Sequence, residues 1–224
     1  MLEANKEAWF EKIFAIYNRN LIKRRFHSLQ VSGLDFLRNK NVEIPLIIYA
    51  NHSSWWDGIL IFEISRRVKL DFFVMMEEKQ LKDLQLFRKL GAFSVVRENP
   101  RKAIESINYA VSLLKNPRRT LLVFPQGEIL PSDLRPLNFY NGLSRIIEKT
   151  AKVFAVPLAI RYEFLGEFKP QIFVKIGLHE LIEADQQFDS KSLTENNSNR
   201  LTNLLDELKT DITKKDFSQY EQII

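Results

Sequence analysis

The sequence contains no cysteine. That absence excludes disulfide bonds, a catalytic thiolate and every metal site built on cysteine ligands. Histidine is also scarce, and the histidines at positions 27, 52 and 179 do not have the spacing of a zinc site. We therefore expect neither a bound metal nor a cofactor.

The chain also lacks a long uncharged apolar run. No stretch reaches the roughly 18 apolar residues that a membrane-spanning helix needs. The opening segment, MLEANKEAWF, does not have the basic and then apolar layout of a secretory signal. We therefore expect a cytoplasmic protein whose contact with a membrane is peripheral and lies on the inner face.

Neither sign of charge dominates strongly. The chain has 33 Lys and Arg against 28 Asp and Glu, which gives a formal net charge of +5. This modest positive excess suits an anionic partner such as a phosphate, a lipid headgroup or an acidic carrier protein. Because the basic residues are scattered along the chain, we do not expect a nucleic-acid partner.

Short apolar runs alternate with amphipathic stretches along most of the sequence. The run PLIIYA at 45–50 is typical of a strand buried on both faces of a parallel sheet. Further strands are predicted at 28–32, 70–75, 92–96, 120–124, 153–162 and 171–177, with helices at 58–67, 77–90, 99–116 and 142–152. This alternation predicts an α/β fold with a mostly parallel central sheet flanked by helices.

Both ends of the chain have helical patterns of their own. Residues 1–27 form an N-terminal amphipathic segment, predicted to be helical over 3–26, with aromatic and aliphatic residues at helical spacing: Phe10, Phe14, Tyr17 and Leu21. Such a helix either lies at a membrane interface or packs on its own domain, and the pattern does not separate the two. We predict one α/β domain over 28–190, with a C-terminal helical tail over 191–224 packed on it.

His52 lies just beyond the run at 45–50, and Asp57 follows five residues later, ahead of a helical pattern. An imidazole can accept the proton of an alcohol that attacks a carbonyl, and a carboxylate on its other nitrogen fixes the tautomer. The alternatives are a loop histidine and an aspartate that caps the helix. The spacing of the two residues does not decide between these interpretations.

Two further loops follow predicted strands. The sequence FPQGE at 124–128 forms either a simple β-turn or a turn whose backbone N–H groups face an anion. The stretch 91–97 ends in Arg97, whose guanidinium could bind a phosphate through two nitrogens. The alternative for Arg97 is a surface residue near Arg101 and Lys102.

These three loops, in this order, resemble the motifs of the glycerolipid acyltransferases, the PlsC-like lysophospholipid acyltransferases. The first family motif, N-H-x-S-x-x-D, is matched by Asn51, His52, Ser54 and Asp57. The second, roughly G-x-I/F-x-I/V-x-R, is matched by Gly91, Phe93, Val95 and Arg97. The third, F-P-E-G-T-R, is matched at Phe124, Pro125 and Gly127. The similarity spans residues 45–160, and the set of motifs is more specific than any one of them.

The resemblance implies an acyltransferase domain in which His52 is the general base and Asp57 orients it. The acceptor hydroxyl would attack the thioester of acyl-CoA or acyl carrier protein, with no covalent acyl-enzyme. Arg97 would bind the phosphate of the acceptor, and the loop 124–128 would shape the acceptor site. The substrate-binding set implied in this way comprises Asn51, Ser54, Gly91, Arg97, Phe124, Pro125, Gln126, Gly127, Glu128 and Arg135.

The chain departs from the family pattern in and after the third motif. Gln126, Glu128 and Ile129 stand where the family has Glu, Thr and Arg, and Tyr140 stands where a downstream F-K-x-G element has its Lys. These changes remove two potential phosphate partners and add a carboxylate. Arg135, later in the same loop, is a candidate replacement for one of the lost cations.

We therefore expect an O-acyltransferase of lipid metabolism that moves a fatty acyl group to a lipid hydroxyl, most simply that of 1-acylglycerol 3-phosphate. The altered third motif favours an alternative, the same chemistry on a phosphate-free acceptor such as a glycosylated or isoprenoid lipid. A more remote alternative is a basic lipid- or nucleic-acid-binding protein without catalysis, suggested by the net charge and the basic first helix.

Overall fold

The computed structural model describes residues 1–38, 43–183 and 189–224. A single sheet runs through it in the order β4-β3-β5-β2-β6-β7-β1-β9, with β8 beside β6. The strands are β1 Leu29–Ser32, β2 Leu46–Ala50, β3 Asp71–Glu77, β4 Ala92–Val95, β5 Arg119–Val123, β6 Lys152–Glu163, β7 Gln171–Ile176, β8 Glu180–Glu183 and β9 Glu221–Gln222. The α-helices are α1 Ala8–Arg25, α2 Asp35–Arg38, α3 Asp57–Arg67, α4 Glu78–Asp83, α5 Pro100–Leu114, α6 Gly142–Glu148 and α7 Ser190–Lys214, and a 3-10 helix spans Gln85–Leu90.

The sheet is mostly parallel, as the sequence predicts. Parallel pairs join β4 to β3, β3 to β5, β5 to β2, β2 to β6 and β7 to β1. The antiparallel pairs are β6 with β7, β6 with β8 and β1 with β9. Because β2 lies between β5 and β6, the loops that follow β2 and β5 leave the same edge of the sheet side by side.

Burial of both sheet faces explains why the strands are continuous apolar runs. All five residues of β2 are buried, and the sheet separates two hydrophobic clusters. Helices α5, α6 and α7 contribute to one cluster, while α1 and α3 contribute to the other. The helix start predicted at Asn99 is confirmed, since its side chain accepts a hydrogen bond from the backbone of Lys102.

Helix α1 is shorter than the sequence pattern predicts. Its first turn begins at Ala8, because the preceding residues are extended and hydrogen-bond to other parts of the chain: Asn5 N and Glu7 N donate to the carbonyls of Arg88 and Lys89. Phe14 on the inner face contacts Phe62 and Phe87. Within the described parts of the chain, no helix combines the length and apolar character needed to cross a bilayer.

The stretch 77–90 is not the continuous helix that the sequence suggests. It comprises the end of β3, the short helix α4 and the 3-10 helix, which ends at Gly91 in a left-handed conformation with φ of 100°. Strands β8 and β9 and helix α2 are too short to give a periodic signal and were not predicted. None of these differences displaces the loops that follow β2, β4 and β5.

Candidate active site

The three loops singled out in the sequence meet at one edge of the sheet. Residue 49 of β2 pairs with residue 123 of β5, so the loops that start at Asn51 and Phe124 are neighbours. Glu77 at the end of β3 pairs with Val95 of β4, and Arg97 follows two residues later. Ligands of open α/β sheets bind at this carboxyl edge.

His52 and Asp57 form a direct hydrogen-bonded pair. The distance from His52 Nδ1 to Asp57 Oδ2 is 2.8 Å, and the Asp57 side chain is fully buried. The same oxygen accepts the backbone N–H groups of Ser53 at 2.7 Å and Ser54 at 2.9 Å. Because an ionised carboxylate has only acceptor atoms, this contact assigns the imidazole proton to Nδ1 and leaves a lone pair on Nε2.

Asp57 does not cap its own helix, which corrects the alternative drawn from its position before α3. Asp57 is itself the first residue of α3, and its carboxylate turns back into the preceding loop. The second carboxylate oxygen accepts a hydrogen bond from the hydroxyl of Tyr162 on β6. Burial, and next the charge of Asp57, raise the pKa of Tyr162 well above its ordinary value, so this hydroxyl stays a donor.

The loop after β5 packs directly on the imidazole. The ring of Phe124 stacks on that of His52, with centroids 4.3 Å apart. Gln126 is buried, and its side-chain oxygen accepts the backbone N–H of His52 at 3.1 Å. The His52 carbonyl accepts the N–H of Leu130 at 2.8 Å. Gln126 thus links the two loops.

Arg97 lies against the same loop. A Cβ placed on Gly127, where φ is 73°, would lie 2.4 Å from Arg97 Nη1, so this position favours glycine and a larger residue would shift the guanidinium. The other neighbours of this group are the Tyr140 ring, 5.2 Å from its central carbon, and the Glu77 carboxylate, 3.9 Å from Nη2. The residue that replaces the family's lysine therefore contacts the arginine of the second motif.

A cavity of about 410 Å³ opens beside His52. Polar and charged groups on its wall include His52, Glu77, Gln80, Arg97, Glu128 and Tyr140. Most of the remaining wall is apolar, formed by Phe14, Trp55, Ile59, Phe62, Phe72, Val74, Met75, Met76, Leu84, Phe87, Leu90, Val95, Val123, Phe124, Pro125, Ile129 and Leu143. A wall with this composition suits a ligand that has a long apolar part and a small polar end.

Four residues predicted to bind substrate do not line this cavity and have partners elsewhere. Asn51 is buried and bonds to both the N–H and the carbonyl of Ile160 on β6. At Gly91 a Cβ would lie 2.4 Å from the carbonyl oxygen of Phe72, so this glycine is required by packing. Gln126 links the loops, and Ser54 accepts the N–H of Trp56.

Arg135, the candidate replacement for a lost phosphate-binding cation, lies away from the cavity. Its guanidinium pairs with Asp206 on α7 and donates to the carbonyls of Ser132 and Leu134. Its loop turns toward α7, and Arg135 is absent from the cavity wall as the structure describes it. The predicted residues that do share the cavity are His52, Arg97, Phe124, Pro125, Gly127 and Glu128.

Two functional candidates were missed by sequence reasoning. Tyr162 lies 105 positions from Asp57, and only the pairing of β2 with β6 brings it near. Glu77 is the last residue of β3 and Arg97 lies two residues beyond β4, so both follow predicted apolar strands, and that position was the available signal. In the described parts of the chain, no group of three or more His, Asp and Glu side chains is arranged to hold a metal ion.

Comparison with known proteins agrees with this geometry. Residues 28–161 match the acyltransferase family, and the chain therefore belongs to that family. A relative from Streptococcus pneumoniae, 1-acyl-sn-glycerol-3-phosphate acyltransferase, is 29% identical over 154 residues. The matched region covers 66% of this chain and 54% of the relative, so it spans about half the length of that protein. The resemblance drawn from the three motifs is confirmed.

Proposed function

We propose that this protein transfers a fatty acyl group from an acyl thioester to the hydroxyl of a lipid. The observation that carries the proposal is the His52–Asp57 pair, whose imidazole forms part of the wall of a mostly apolar cavity. Family membership supports acyl transfer as the reaction. The donor is acyl-CoA or acyl carrier protein, and the reaction needs neither a metal nor a cofactor.

In the proposed mechanism the acceptor hydroxyl lies beside His52 Nε2. As its oxygen attacks the thioester carbonyl carbon, Nε2 takes the hydroxyl proton. The imidazolium that forms is stabilised by the Asp57 carboxylate, which Tyr162 and two backbone N–H groups hold in place. When the C–S bond breaks, the sulfur leaves as a thiolate and recovers the proton from the imidazolium.

The wall of the cavity contains two groups of side chains that suit the two parts of the substrates. Phe14 contacts both Phe62 and Phe87, and the three rings form an apolar group suited to the acyl chain. Arg97 and Tyr140 form a polar group suited to the acceptor headgroup. His52 lies on the same wall: Trp55 of its own loop contacts Phe87 of the apolar group. Phe124, which stacks on the imidazole, belongs to the loop whose Gly127 packs against Arg97.

We also propose that α1 attaches the protein to a membrane surface. Trp9, Ile13, Ile16 and Tyr17 are each more than half exposed on its outer face, and Lys12, Lys23, Arg24 and Arg25 are exposed along it. Apolar and basic side chains together favour the interface of an anionic bilayer. The inner face of α1 packs on the domain. Helix α1 would therefore both pack on its own domain and lie at a membrane interface, the two interpretations of its sequence pattern. Co-sedimentation with anionic lipid vesicles tests this proposal, and protein that stays in the supernatant would contradict it.

The replacement His52→Ala tests the catalytic proposal. We expect loss of acyl transfer by a factor of about 10² to 10⁴, the usual contribution of a general base. Products are measured by mass spectrometry of lipids after incubation with either thioester donor. His27→Ala is the matched control, because His27 is half-exposed and pairs with Glu167. Equal product formation by His52→Ala and the wild type would refute the mechanism.

A further inference from the structure

Arg97 already has a counter-ion within the cavity. Its Nη2 lies 3.9 Å from Glu77 Oε2, and both side chains are about 30% exposed. Among the residues that the structure places on the cavity wall, Arg97 is the one Lys or Arg, whereas Glu77 and Glu128 are both carboxylates. The polar part of the cavity therefore carries an excess of negative charge.

The other sides of the guanidinium are also partly covered. The Tyr140 ring lies over it, and Gly127 packs against Nη1, where an added Cβ would lie 2.4 Å from that nitrogen. A phosphate that bound Arg97 through two nitrogens would lie close to the Glu77 carboxylate, which is 3.9 Å from Nη2. The position of Arg97 at a strand end thus does not by itself make a phosphate site.

The charge of the acceptor decides how well it fits this arrangement. A phosphate monoester carries about −1.5 to −2 at neutral pH. In a cavity whose wall carries two carboxylates and one guanidinium, it would be repelled on balance. Hydroxyl or ammonium groups would instead donate hydrogen bonds to the same carboxylates.

We infer that Glu77 and Glu128 select an acceptor lipid whose headgroup lacks a phosphate monoester and offers hydroxyl or ammonium donors. This inference rests on the acyl transfer proposed above and names its acceptor class. Glu77 lies beside Arg97 and partly offsets its charge. Glu128, which is exposed and replaces the family's threonine, adds negative charge to the third-motif loop.

The test compares three lysolipids with the same acyl chain as acceptors, with one thioester donor. They are lysophosphatidate, a monoacyl glucosylglycerol, which offers hydroxyls, and lysophosphatidylethanolamine, which offers an ammonium group. For the wild type, we expect kcat/KM for at least one of the last two to exceed that for lysophosphatidate by tenfold or more. Whichever of these two acceptors has the higher kcat/KM shows whether the carboxylates recognise a hydroxyl or an ammonium group. A wild type that prefers lysophosphatidate overturns the inference.

Charge-removing variants test the role assigned to the two carboxylates. In Glu77→Gln with Glu128→Gln, the preference should move toward lysophosphatidate by about tenfold or more. Glu105→Gln, an exposed carboxylate on α5, should leave the preference unchanged. An unchanged preference in the double variant also overturns the inference, while retained circular dichroism shows that the variant is folded.

Binding measured apart from turnover separates this inference from the proposed reaction. Dissociation constants for the three lysolipids can be followed by tryptophan fluorescence, since Trp55 lines the cavity. If no acceptor is acylated but affinity follows headgroup charge and shifts in the double variant, the reaction is refuted and the selectivity stands. If all three are acylated and bound equally well, the reaction stands and the selectivity is refuted.

Discussion

The replacement Asp57→Asn removes the charge beside His52 while keeping most of its hydrogen bonds. The amide oxygen can take the place of Oδ2, which accepts from His52 Nδ1 and from the N–H groups of Ser53 and Ser54. The amide nitrogen would then face Tyr162, whose hydroxyl can rotate to accept instead of donate. The variant should therefore fold, and its defect should be one of charge.

The size of that defect follows from the contact distance. At an effective dielectric constant of about 20, an imidazolium and a carboxylate 2.8 Å apart attract each other by roughly 6 kcal/mol. This attraction develops only as His52 takes the proton, so it lowers the barrier and leaves ground-state binding nearly unchanged. Some of it will be recovered by the amide dipole, and we expect kcat to fall by about 10³-fold, or roughly 4 kcal/mol.

The assay follows thiol release from the thioester in the presence of acceptor lipid, with kcat and KM measured separately. KM should change by less than about threefold, because the charge acts mainly after proton transfer. Asp35→Asn is the matched control, since Asp35 is exposed and pairs with Arg38 on the surface. A folded Asp57→Asn enzyme whose kcat stays within threefold of the wild type would refute the proposed role of the pair.

Two further predictions follow from buried polar groups. Tyr162→Phe leaves one oxygen of Asp57 without its hydrogen-bond donor. Loss of a hydrogen bond to a charged group costs about 1.5–3 kcal/mol, so kcat should fall by roughly tenfold or more at unchanged KM. A kcat equal to that of the wild type would contradict this. Burial raises the pKa of Glu63 on α3, opposed by Arg19, so the folded state favours its protonated form and loses stability as the pH rises through the raised pKa. Glu63→Gln should therefore be more stable than the wild type in urea at pH 8 and equal to it near pH 4, and lower stability at pH 8 would count against the argument.

The sheet was predictable because its strands are buried on both faces. Continuous apolar runs such as 45–50 and 120–124 do not depend on distant partners for their recognition, and β2 and β5 lie within a residue or two of the predicted positions. The stretch 77–90 was not predictable in the same way. Its helical spacing is satisfied by two short helices of different type, and in the second of them the carbonyls of Arg88 and Lys89 accept hydrogen bonds from the distant N-terminal segment.

Within the site, only the residues that have both a suitable side chain and a place in a family motif close in sequence could be assigned a role from the sequence. His52 and Asp57 are close in sequence, and one short loop is enough to bring them into contact. Asn51 and Gln126 belong to the same motifs, yet they bond to the protein itself, and sequence similarity does not distinguish a residue that binds substrate from one that holds the loop. The ion pair of Arg97 with Glu77 depends on the pairing of β3 with β4, which no local pattern encodes.

The two hydrogen bonds of Asn51 to Ile160 have a consequence for the order in which the protein becomes active. They join residues 109 positions apart and fasten the start of the His52 loop to the strand that also supplies Tyr162. In a chain that has paired β2 with β5 but has not yet added β6, His52 and Asp57 would lack the hydrogen bonds that Ile160 and Tyr162 provide. Activity should therefore appear late in refolding, together with the docking of β6, and not with the earlier collapse of the core.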